Sequence, residues 1–266
     1  TKRQGFKAGA LREALPAAEG EFVAIFDARF VPDPDFLIKA LPYFSSPQVG
    51  MVQSRWTHLN QNYSILTQLQ AFALDAHFLI EQSGRNQQGA FINFNGTAGI
   101  WRKTCILDAG NWEEDTLTED LDLSYRAQRK GWKFVYRPEI ESPAELPPIL
   151  SAIKSQQFRW TKGGAECAVK HAGQVFRGDH PWHIKFHAFA HLFNSTIFIA
   201  ILLTSFCSIG IWWGIQSNLI SAKLLLATGF SMFGFVLVAG VYLVSYLKAK
   251  TFSWEKQSEL LLEVMK

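Results

Sequence analysis

Two polar segments of the chain carry residue types that suit a group-transfer reaction. In Thr118-Glu119-Asp120, a carboxylate at a predicted helix start has an acidic neighbour, which can tune its pKa for general-base work. In the second segment, which begins at Gln156, the guanidinium of Arg159 can pair with a diphosphate through two N–H groups, and Trp160 can stack on a sugar ring. This second segment precedes a long uncharged stretch, so the candidate chemistry is predicted to lie beside a membrane.

Asp27 and Lys7 are further candidates, for binding a charged leaving group. Asp27 ends an apolar run at residues 21–27 that is typical of a buried strand, and ligands of α/β sheets bind at the carboxyl ends of strands. Lys7 lies in a glycine-containing loop that enters a helix, where its ammonium can contact a diphosphate. Glycosyl transfer from a nucleotide sugar needs a base for the acceptor hydroxyl, cations for the diphosphate and a hold on the nucleotide. Together with Asp120, these residues offer a candidate for each need.

Considered alone, each of these residues also has an ordinary structural explanation. Thr118 can cap a helix whose first turn favours acids such as Asp120. Asp27 can start a turn, Lys7 can be a solvated loop lysine, and Trp160 can anchor the chain at a membrane interface. These alternatives stay open for the individual residues, and only their combination favours catalysis.

The polar half of the chain predicts an α/β fold with a mostly parallel sheet and helices on both faces. A loop entering a helix is predicted at 5–15, strands at 21–27, 49–54, 91–102 and 132–136, and helices at 62–81, 104–109 and 119–130. Asp27 would then lie at the sheet edge where ligands bind.

Charge and cysteine content exclude several classes of protein. The net charge of +3 is too small to indicate a nucleic-acid partner. The three cysteines, Cys105, Cys167 and Cys207, lie far apart without paired spacing, which argues against a disulfide framework or a zinc site. We therefore expect reduced thiols in a cytosolic domain.

The second half of the chain predicts a membrane hairpin. Residues 186–222 and 224–247 contain no Asp, Glu, Lys or Arg apart from Lys223 between them, and about 20 apolar residues span a bilayer. We place helices at about 190–215 and 222–247, with a polar turn at 216–218. A pair of buried core helices is the alternative.

Flanking charges predict the orientation of this hairpin. Arg177, Lys185, Lys248, Lys250 and Lys256 lie at its outer ends, so the positive-inside rule places the polar domain in the cytosol. The basic, amphipathic segment that precedes the hairpin is predicted to lie in the membrane interface. The predicted domains are a cytosolic domain at 1–146, an interfacial segment at 147–188 and a transmembrane region at 189–266. The last of these ends in the start of a further interfacial helix.

Five motifs occur in a recognisable order. They are Gly-Phe-Lys-Ala-Gly-Ala-Leu (5–11), Phe-Asp-Ala-Arg (26–29), Phe-Asn-Gly-Thr-Ala-Gly (94–99), Thr-Glu-Asp-Leu-Asp-Leu (118–123) and Gln-Gln-Phe-Arg-Trp-Thr-Lys-Gly (156–163). Over about residues 1–260 the chain resembles the processive family-2 glycosyltransferases, which are the cellulose-synthase-like enzymes. It is most similar to the plant-type mannan and glucan synthase branch and its bacterial relatives.

The resemblance implies a GT-A fold, a nucleotide-sugar donor (UDP-glucose or GDP-mannose), inversion at the anomeric carbon and a β-linked polysaccharide product. It also implies a multi-pass membrane protein whose growing glycan meets the bilayer, and further aspartates that contact the nucleotide before residue 1. The chain is accordingly interpreted as an internal, N-terminally truncated part of a longer protein. The implied roles are catalytic base for Asp120; donor and diphosphate binding for Lys7, Asp27, Gln156 and Arg159; and acceptor binding for Asn95, Gly96, Glu119 and Trp160.

The metal motif departs from the family pattern. Mg2+ or Mn2+ is the implied cofactor and Asp27 its implied ligand, but the family's Asp-x-Asp is Asp27-Ala28-Arg29 here. Arg29 can replace part of the cation's charge or weaken metal binding, and both possibilities stay open. Two alternative functions follow: a non-processive or lipid-directed family-2 glycosyltransferase, and a degenerate, non-catalytic glycan-synthase subunit. Arg29 favours the second alternative, whereas the intact motifs at 118–120 and 156–160 favour an enzyme.

Overall fold

The computed structural model describes residues 5–217, 219, 234 and 236–250. The chain divides into two units, one over residues 1–193 and one over residues 194–266. The first unit contains a four-stranded sheet with its helices and carries all of the candidate site residues. The second unit is helical where it is described.

The sheet of the first unit is mixed rather than mostly parallel. Its strands are Phe22–Ile25 (β1), Val49–His58 (β2), Gly99–Arg102 (β3) and Lys133–Ala144 (β4), in the spatial order β1-β3-β2-β4. Only β2 and β4 pair in parallel, and β3 runs antiparallel to both β1 and β2. The prediction of a mostly parallel sheet is therefore wrong for the described strands. Alternation of strands and helices predicts parallel neighbours only when consecutive strands are adjacent, and β3 inserts between β1 and β2 in the opposite direction.

The loop before β3 is held by side chains, so the predicted strand at 91–102 shortens to Gly99–Arg102. The backbone N–H of Ile92 donates to Gln128 Oε1 at 3.0 Å, and Gln128 Nε2 donates to Ile92 O at 2.7 Å. The N–H of Phe94 donates to Ser124 Oγ at 2.9 Å. These bonds satisfy buried backbone groups without a strand partner, which is why residues 90–92 and 94 are buried but lie outside the sheet.

The helices within residues 5–217 include two that were not predicted, at 36–40 and 83–87, and the others lie in or close to predicted helical segments. The α-helices of this part of the chain are Phe6–Ala14 (α1), Phe36–Ala40 (α2), Ile65–Ala76 (α3), Ser83–Gln87 (α4), Lys103–Asp108 (α5), Glu119–Arg129 (α6), Leu150–Arg177 (α7), Trp182–Leu192 (α8) and Ile197–Gln216 (α9). Ser64 and Thr67 form a capping box that starts α3, and a π-helical turn at His77–Gln82 joins α3 to α4. The helical period predicted at 62–81 is thus split by this turn, of a kind that is frequent at functional sites.

Helix α7 covers most of the segment that the sequence predicts to be amphipathic. Its buried face packs against α6 and contributes Cys167, Ala168 and Val175 to an apolar cluster with Leu121 and Tyr125. Because this apolar stripe of α7 is buried inside the first unit, packing within the protein is enough to explain the amphipathic sequence pattern, and no membrane is needed. The interfacial location of segment 147–188 stays a prediction.

One described helical stretch, Trp182–Gln216, is long and apolar enough to cross a membrane by length and composition. It overlaps the first predicted span, at about 190–215. Half of the second predicted span, at about 222–247, lies outside the described residues, and residues 236–250 are helical. The described residues thus support one apolar helix, and the multi-pass topology stays a prediction.

Candidate active site

Lys7 contacts two of the other sequence-predicted residues at one point. Its Nζ donates to Asp27 Oδ1 at 2.6 Å and to the carbonyl oxygen of Gly96 at 2.7 Å. Lys7 lies in the first turn of α1, whereas Asp27 follows the end of β1, where its N–H donates to Thr97 Oγ1 at 2.8 Å. The prediction that Asp27 stands at a strand end is confirmed by this position. Lys7 is not a solvated loop lysine, because both of its contacts are with the candidate site.

Gly96 brings Asp120 to the same point. Gly96 has φ +76°, and a Cβ placed on it would lie 3.0 Å from Asp120 Oδ2 and 3.6 Å from Lys7 Nζ. Both the left-handed backbone and the limited space therefore require glycine. Residues distant in the sequence thus meet around Gly96, and the predicted base lies beside the Lys7–Asp27 ion pair.

Asp120 has the pKa expected of a general base. It is half-buried in the first turn of α6, and its Oδ1 accepts a hydrogen bond from the N–H of Leu121 at 2.9 Å. Removal from water, followed by the negative charge of Glu119, raises the pKa of Asp120 to about 7, against the opposing effects of the Leu121 hydrogen bond and Lys7. Burial likewise raises the pKa of Glu119. The positive charges of Lys7 and Arg159 act in the opposite direction but do not cancel this rise. A carboxylate with a pKa near neutrality can take a proton and release it again at physiological pH.

Thr118 does not cap α6 through its side chain, so that prediction is wrong. Its hydroxyl lies 3.4 Å from Cys167 Sγ on α7. A Cβ added at Gly163 of α7 would lie 2.5 Å from Thr118 Cγ2 and 2.9 Å from its backbone nitrogen. The Thr118 hydroxyl thus contacts α7 instead of capping α6. This contact holds the start of α6 against α7, the helix that carries Arg159.

Two buried glutamines, Gln53 and Gln82, hold the loop that contains Asn95. Sequence reasoning missed both glutamines. Asn95 Nδ2 donates to Gln82 Oε1 at 3.1 Å, and its backbone N–H donates to Gln53 Oε1 at 3.1 Å. Gln53 Nε2 in turn donates to the carbonyls of Thr97 at 3.1 Å and Ala98 at 2.9 Å. The only signal in the sequence was the amide side chain of Gln53, which follows the apolar run 49–52 of β2. These contacts fix the loop that presents the Gly96 carbonyl to Lys7.

Gln156, Arg159 and Trp160 lie near the start of α7, with different exposures. Gln156 is buried and Trp160 half-buried, and both line a recess with Arg29, Trp56 and His58. Arg159 is exposed, and its charge acts on both Glu119 and Arg29. The tertiary structure therefore brings the segment at 156–160 to the Asp27–Arg29 loop and to the helix that carries Asp120. Trp160 also packs against the main core cluster, which accounts for its position without a membrane anchor.

The residues at the metal motif do not fit a two-carboxylate site for a divalent ion. Asp27 is the only carboxylate of the motif, and Lys7 already occupies its Oδ1. The guanidinium carbon of Arg29 lies 5.6 Å and 5.8 Å from the ring centres of Phe30 and Trp56. Burial lowers the pKa of Arg29, the charge of Asp27 raises it and that of Arg159 lowers it. A positive charge thus stands where the family pattern places a metal ligand.

A cluster of acidic residues around Asp122 has a structural role, and sequence reasoning also missed it. The buried carboxylate of Asp122 accepts hydrogen bonds from His171 Nε2 at 2.8 Å and Arg126 Nη2 at 2.6 Å, and Lys170 Nζ lies 2.7 Å from it. Burial opposes its ionisation, but these donors hold the pKa of Asp122 well below its usual range. Glu113 and Asp115 lie close enough to Asp122 to suggest a metal site, but each binds Lys170. The group therefore ties α6 to α7 through ion pairs.

Comparison with known proteins shows the family to which the chain belongs. Residues 1–163 match the family model described as glycosyltransferase like family 2. The chain is 41% identical over 215 residues to glucomannan 4-beta-mannosyltransferase 7 of Arabidopsis thaliana, covering 75% of this chain and 39% of that protein. It is 43% identical over 190 residues to the probable glucomannan 4-beta-mannosyltransferase 3 of Oryza sativa subsp. japonica, covering 70% and 34% of the two chains. This chain thus spans between a third and two fifths of the length of these relatives.

A solved structure shares the fold. It is the mannosyltransferase PcManGT from Pyrobaculum calidifontis in complex with GDP-Man and Mn2+, with a TM-score of 0.59 and 18% identity. The match covers 93% of this chain and 67% of that one. The first unit therefore has a GT-A-like fold with a mixed sheet. The fold accommodates a nucleotide sugar and a divalent metal ion in that protein.

Proposed function

Because this chain belongs to the glycosyltransferase-like family 2, we propose that it is the catalytic part of an enzyme that adds hexose units to a β-linked glycan. The observation that carries the proposal is the position of Asp120. Its half-buried carboxylate, with a pKa raised to about 7, lies beside the Lys7–Asp27 ion pair, on a helix tied to the one that bears Arg159. Glycosyl transfer uses a base for the acceptor hydroxyl and cations for the diphosphate, and the site offers both. The neighbouring recess adds an aromatic side chain, Trp160, that can stack on a sugar ring.

The transfer step follows from these positions. A hydroxyl oxygen of the acceptor attacks the anomeric carbon of the donor sugar, and its proton passes to the Asp120 carboxylate. The bond from that carbon to the diphosphate oxygen breaks, and its electron pair leaves with the nucleoside diphosphate. Lys7 and Arg159 stabilise the charge that develops there, and attack on the face opposite the leaving group converts an α-linked donor into a β-linked product.

Mannose is the sugar that the relatives favour. The similar plant proteins are named glucomannan 4-beta-mannosyltransferases. Of the two predicted donors, UDP-glucose and GDP-mannose, we therefore assign GDP-mannose, and the product is a β-1,4-linked mannan or glucomannan. Asn95, Gly96, Glu119 and Trp160 would bind the acceptor end of that chain, and Gln156 would help to hold the donor.

The membrane is the second part of the proposal. The helical stretch Trp182–Gln216 follows the site in sequence and is apolar enough to span a bilayer. We assign the complete protein to a membrane, with several spans, a cytosolic catalytic unit and a growing glycan that leaves through the transmembrane region. The non-catalytic alternative has one observation in its favour, Arg29 at the metal motif. It gives no role to the placement of Asp120 beside the Lys7–Asp27 ion pair, on a helix tied to the one that bears Arg159.

The test uses the complete protein in sealed membrane vesicles supplied with radiolabelled GDP-mannose or UDP-glucose. We expect an insoluble β-linked polymer from GDP-mannose, and a loss of at least about hundredfold in its rate with Asp120→Asn. Asp179→Asn, the same change at an exposed position remote from the site residues in sequence, should leave the rate unchanged.

Normal polymer formation by Asp120→Asn would refute the assignment of the base. The absence of polymer from either donor, with the protein intact in the membrane, would favour the non-catalytic subunit.

A further inference from the structure

Arg29 is a half-buried cation without a carboxylate partner. Its Nε is buried and has no hydrogen-bond partner, and within residues 5–217 no carboxylate forms a salt bridge with it. The arginines of the sheet differ from Arg29, since Arg55 pairs with Glu141 and Arg102 with Glu21. A buried donor without a partner costs free energy, and an anion that arrives with a ligand would remove that cost. Arg29 therefore has an unused capacity to bind an anion.

The surroundings of Arg29 place that capacity at the donor site. Two aromatic rings hold its guanidinium, and the recess that it lines also includes Gln156 and Trp160. It stands two residues after Asp27, and the charges of Asp27 and Arg159 both act on it. Lys7 shares its charge with Asp27, whereas Arg29 and Arg159 form no salt bridge with a carboxylate within residues 5–217.

From this geometry we infer that Arg29 and Arg159 bind the diphosphate of the donor and supply the charge that a divalent ion supplies in the two-carboxylate pattern. The inference rests on the proposed function, because the anion is the nucleoside diphosphate of the sugar donor. Two guanidinium groups can donate several charge-assisted hydrogen bonds to phosphate oxygens. The same two charges repel Mg2+ or Mn2+, and Asp27 alone offers an ion a single carboxylate. Binding of the nucleotide is therefore independent of metal in this protein.

The experiment measures nucleotide binding by calorimetry on the complete, purified protein, with GDP and UDP as the probes. Each titration is made with Mn2+ and with EDTA. We expect the wild-type Kd for the preferred nucleotide to change by less than about threefold when the metal is removed. Arg29→Gln should weaken binding by at least about tenfold in EDTA, because it removes charge-assisted hydrogen bonds.

Arg29→Asp restores a second carboxylate at the motif and reverses the dependence on metal. We expect this variant to bind nucleotide only when Mn2+ is present, and to give an electron paramagnetic resonance signal of protein-bound Mn2+ that the wild type lacks. Lys133→Asp, the same type of charge reversal at an exposed position at the start of β4, is the matched control and should behave as wild type. Circular dichroism checks that each variant is folded.

The outcomes separate the inference from the proposed function. Wild-type binding that disappears in EDTA, and that Arg29→Gln does not weaken, would overturn the role of Arg29 while the proposed transferase stands. If the wild type binds neither nucleotide in either buffer, the proposed function fails as well. Binding in EDTA that depends on Arg29 supports both.

Discussion

Among single residues, Asp120 illustrates how the surroundings of a carboxylate set its strength as a base. Partial burial and the adjacent Glu119 raise its pKa to about 7, and Lys7 limits that rise. The effects of Glu119 and Lys7 are electrostatic and act through space, so each can be tested by substituting that residue alone. The proximity of Glu119 was visible in the sequence, whereas that of Lys7 was not.

We predict that the transfer rate at saturating donor rises with pH, with a midpoint near 7. The sign follows from the chemistry, because only the ionised carboxylate of Asp120 can accept the proton of the acceptor, and lower pH protonates it. Glu119→Gln removes a negative neighbour, lowers the pKa of Asp120 and moves the midpoint to lower pH, whatever its effect on the maximal rate. Initial rates of polymer formation on both sides of pH 7 measure the midpoint.

The control for this prediction is Glu19→Gln, at an exposed position outside the site, which should leave the midpoint in place. A profile that is identical in wild type and Glu119→Gln would show that another group limits the rate.

Among the elements, α7 decides whether the site is complete. It carries Gln156, Arg159 and Trp160 at positions i, i+3 and i+4, a spacing that places them on one side of the helix. Farther along, the Asp122 network and the contact of Gly163 with Thr118 bind α7 to α6. The helix that carries the proposed donor-binding residues is thus fixed to the helix that carries the proposed base.

We predict that Gly163→Ala separates these helices. Its Cβ would lie 2.5 Å from Thr118 Cγ2 and 2.9 Å from a backbone nitrogen, so a side-chain rotation alone cannot relieve the overlap. The expected cost is about 1–3 kcal/mol in the free energy of unfolding, together with a reduced transfer rate. Thermal unfolding and polymer formation, measured on the same preparation, report the two effects.

Gly173→Ala is the matched control on the same helix. Nothing lies within 4 Å of a Cβ at this position, and alanine favours a helix over glycine by about 1 kcal/mol, so a higher Tm is expected. Equal shifts of Tm in the two variants would mean that the close approach of α7 does not limit stability.

In the whole molecule, a polar unit with a GT-A-like fold is followed in sequence by an apolar helical unit. Helix α9 contains no charged residue, and large apolar side chains such as Phe206, Trp212 and Trp213 are exposed along it. Exposed apolar surface of this extent is typical of contact with lipid or with further helices. The flanking charges predict an orientation, in which the polar unit lies on the cytosolic side.

We predict that position 217 and position 19 lie on opposite sides of the membrane. Cysteines placed there one at a time, as Ser217→Cys and Glu19→Cys, should react with an impermeant maleimide from opposite faces of sealed vesicles. Cys105 and Cys167 are buried and give no background, whereas the exposed Cys207 is first replaced by serine. Labelling of both positions from the same side would refute the predicted hairpin.

Local patterns were sufficient to predict the element types and most of the candidate residues. Apolar runs, glycines and helical periods indicated β1, β2, α1, α5 and α6 close to their observed bounds, because burial and backbone propensity depend on neighbouring residues. The order of five short motifs was sufficient for the family, which the match over residues 1–163 confirms. The departure at Arg29 was equally visible, as one residue in a motif.

Only the tertiary structure decided the features that depend on segments far apart in the chain. The antiparallel direction of β3, the capture of Ile92 and Phe94 by side chains of α6, and the pairing of Lys7 with Asp27 are of this kind. Alternation of apolar residues reports which side of a strand is buried but not which strand lies beside it or in which direction. The pKa of Asp120 has the same origin, since burial and charge add up over all the groups that folding brings around a residue.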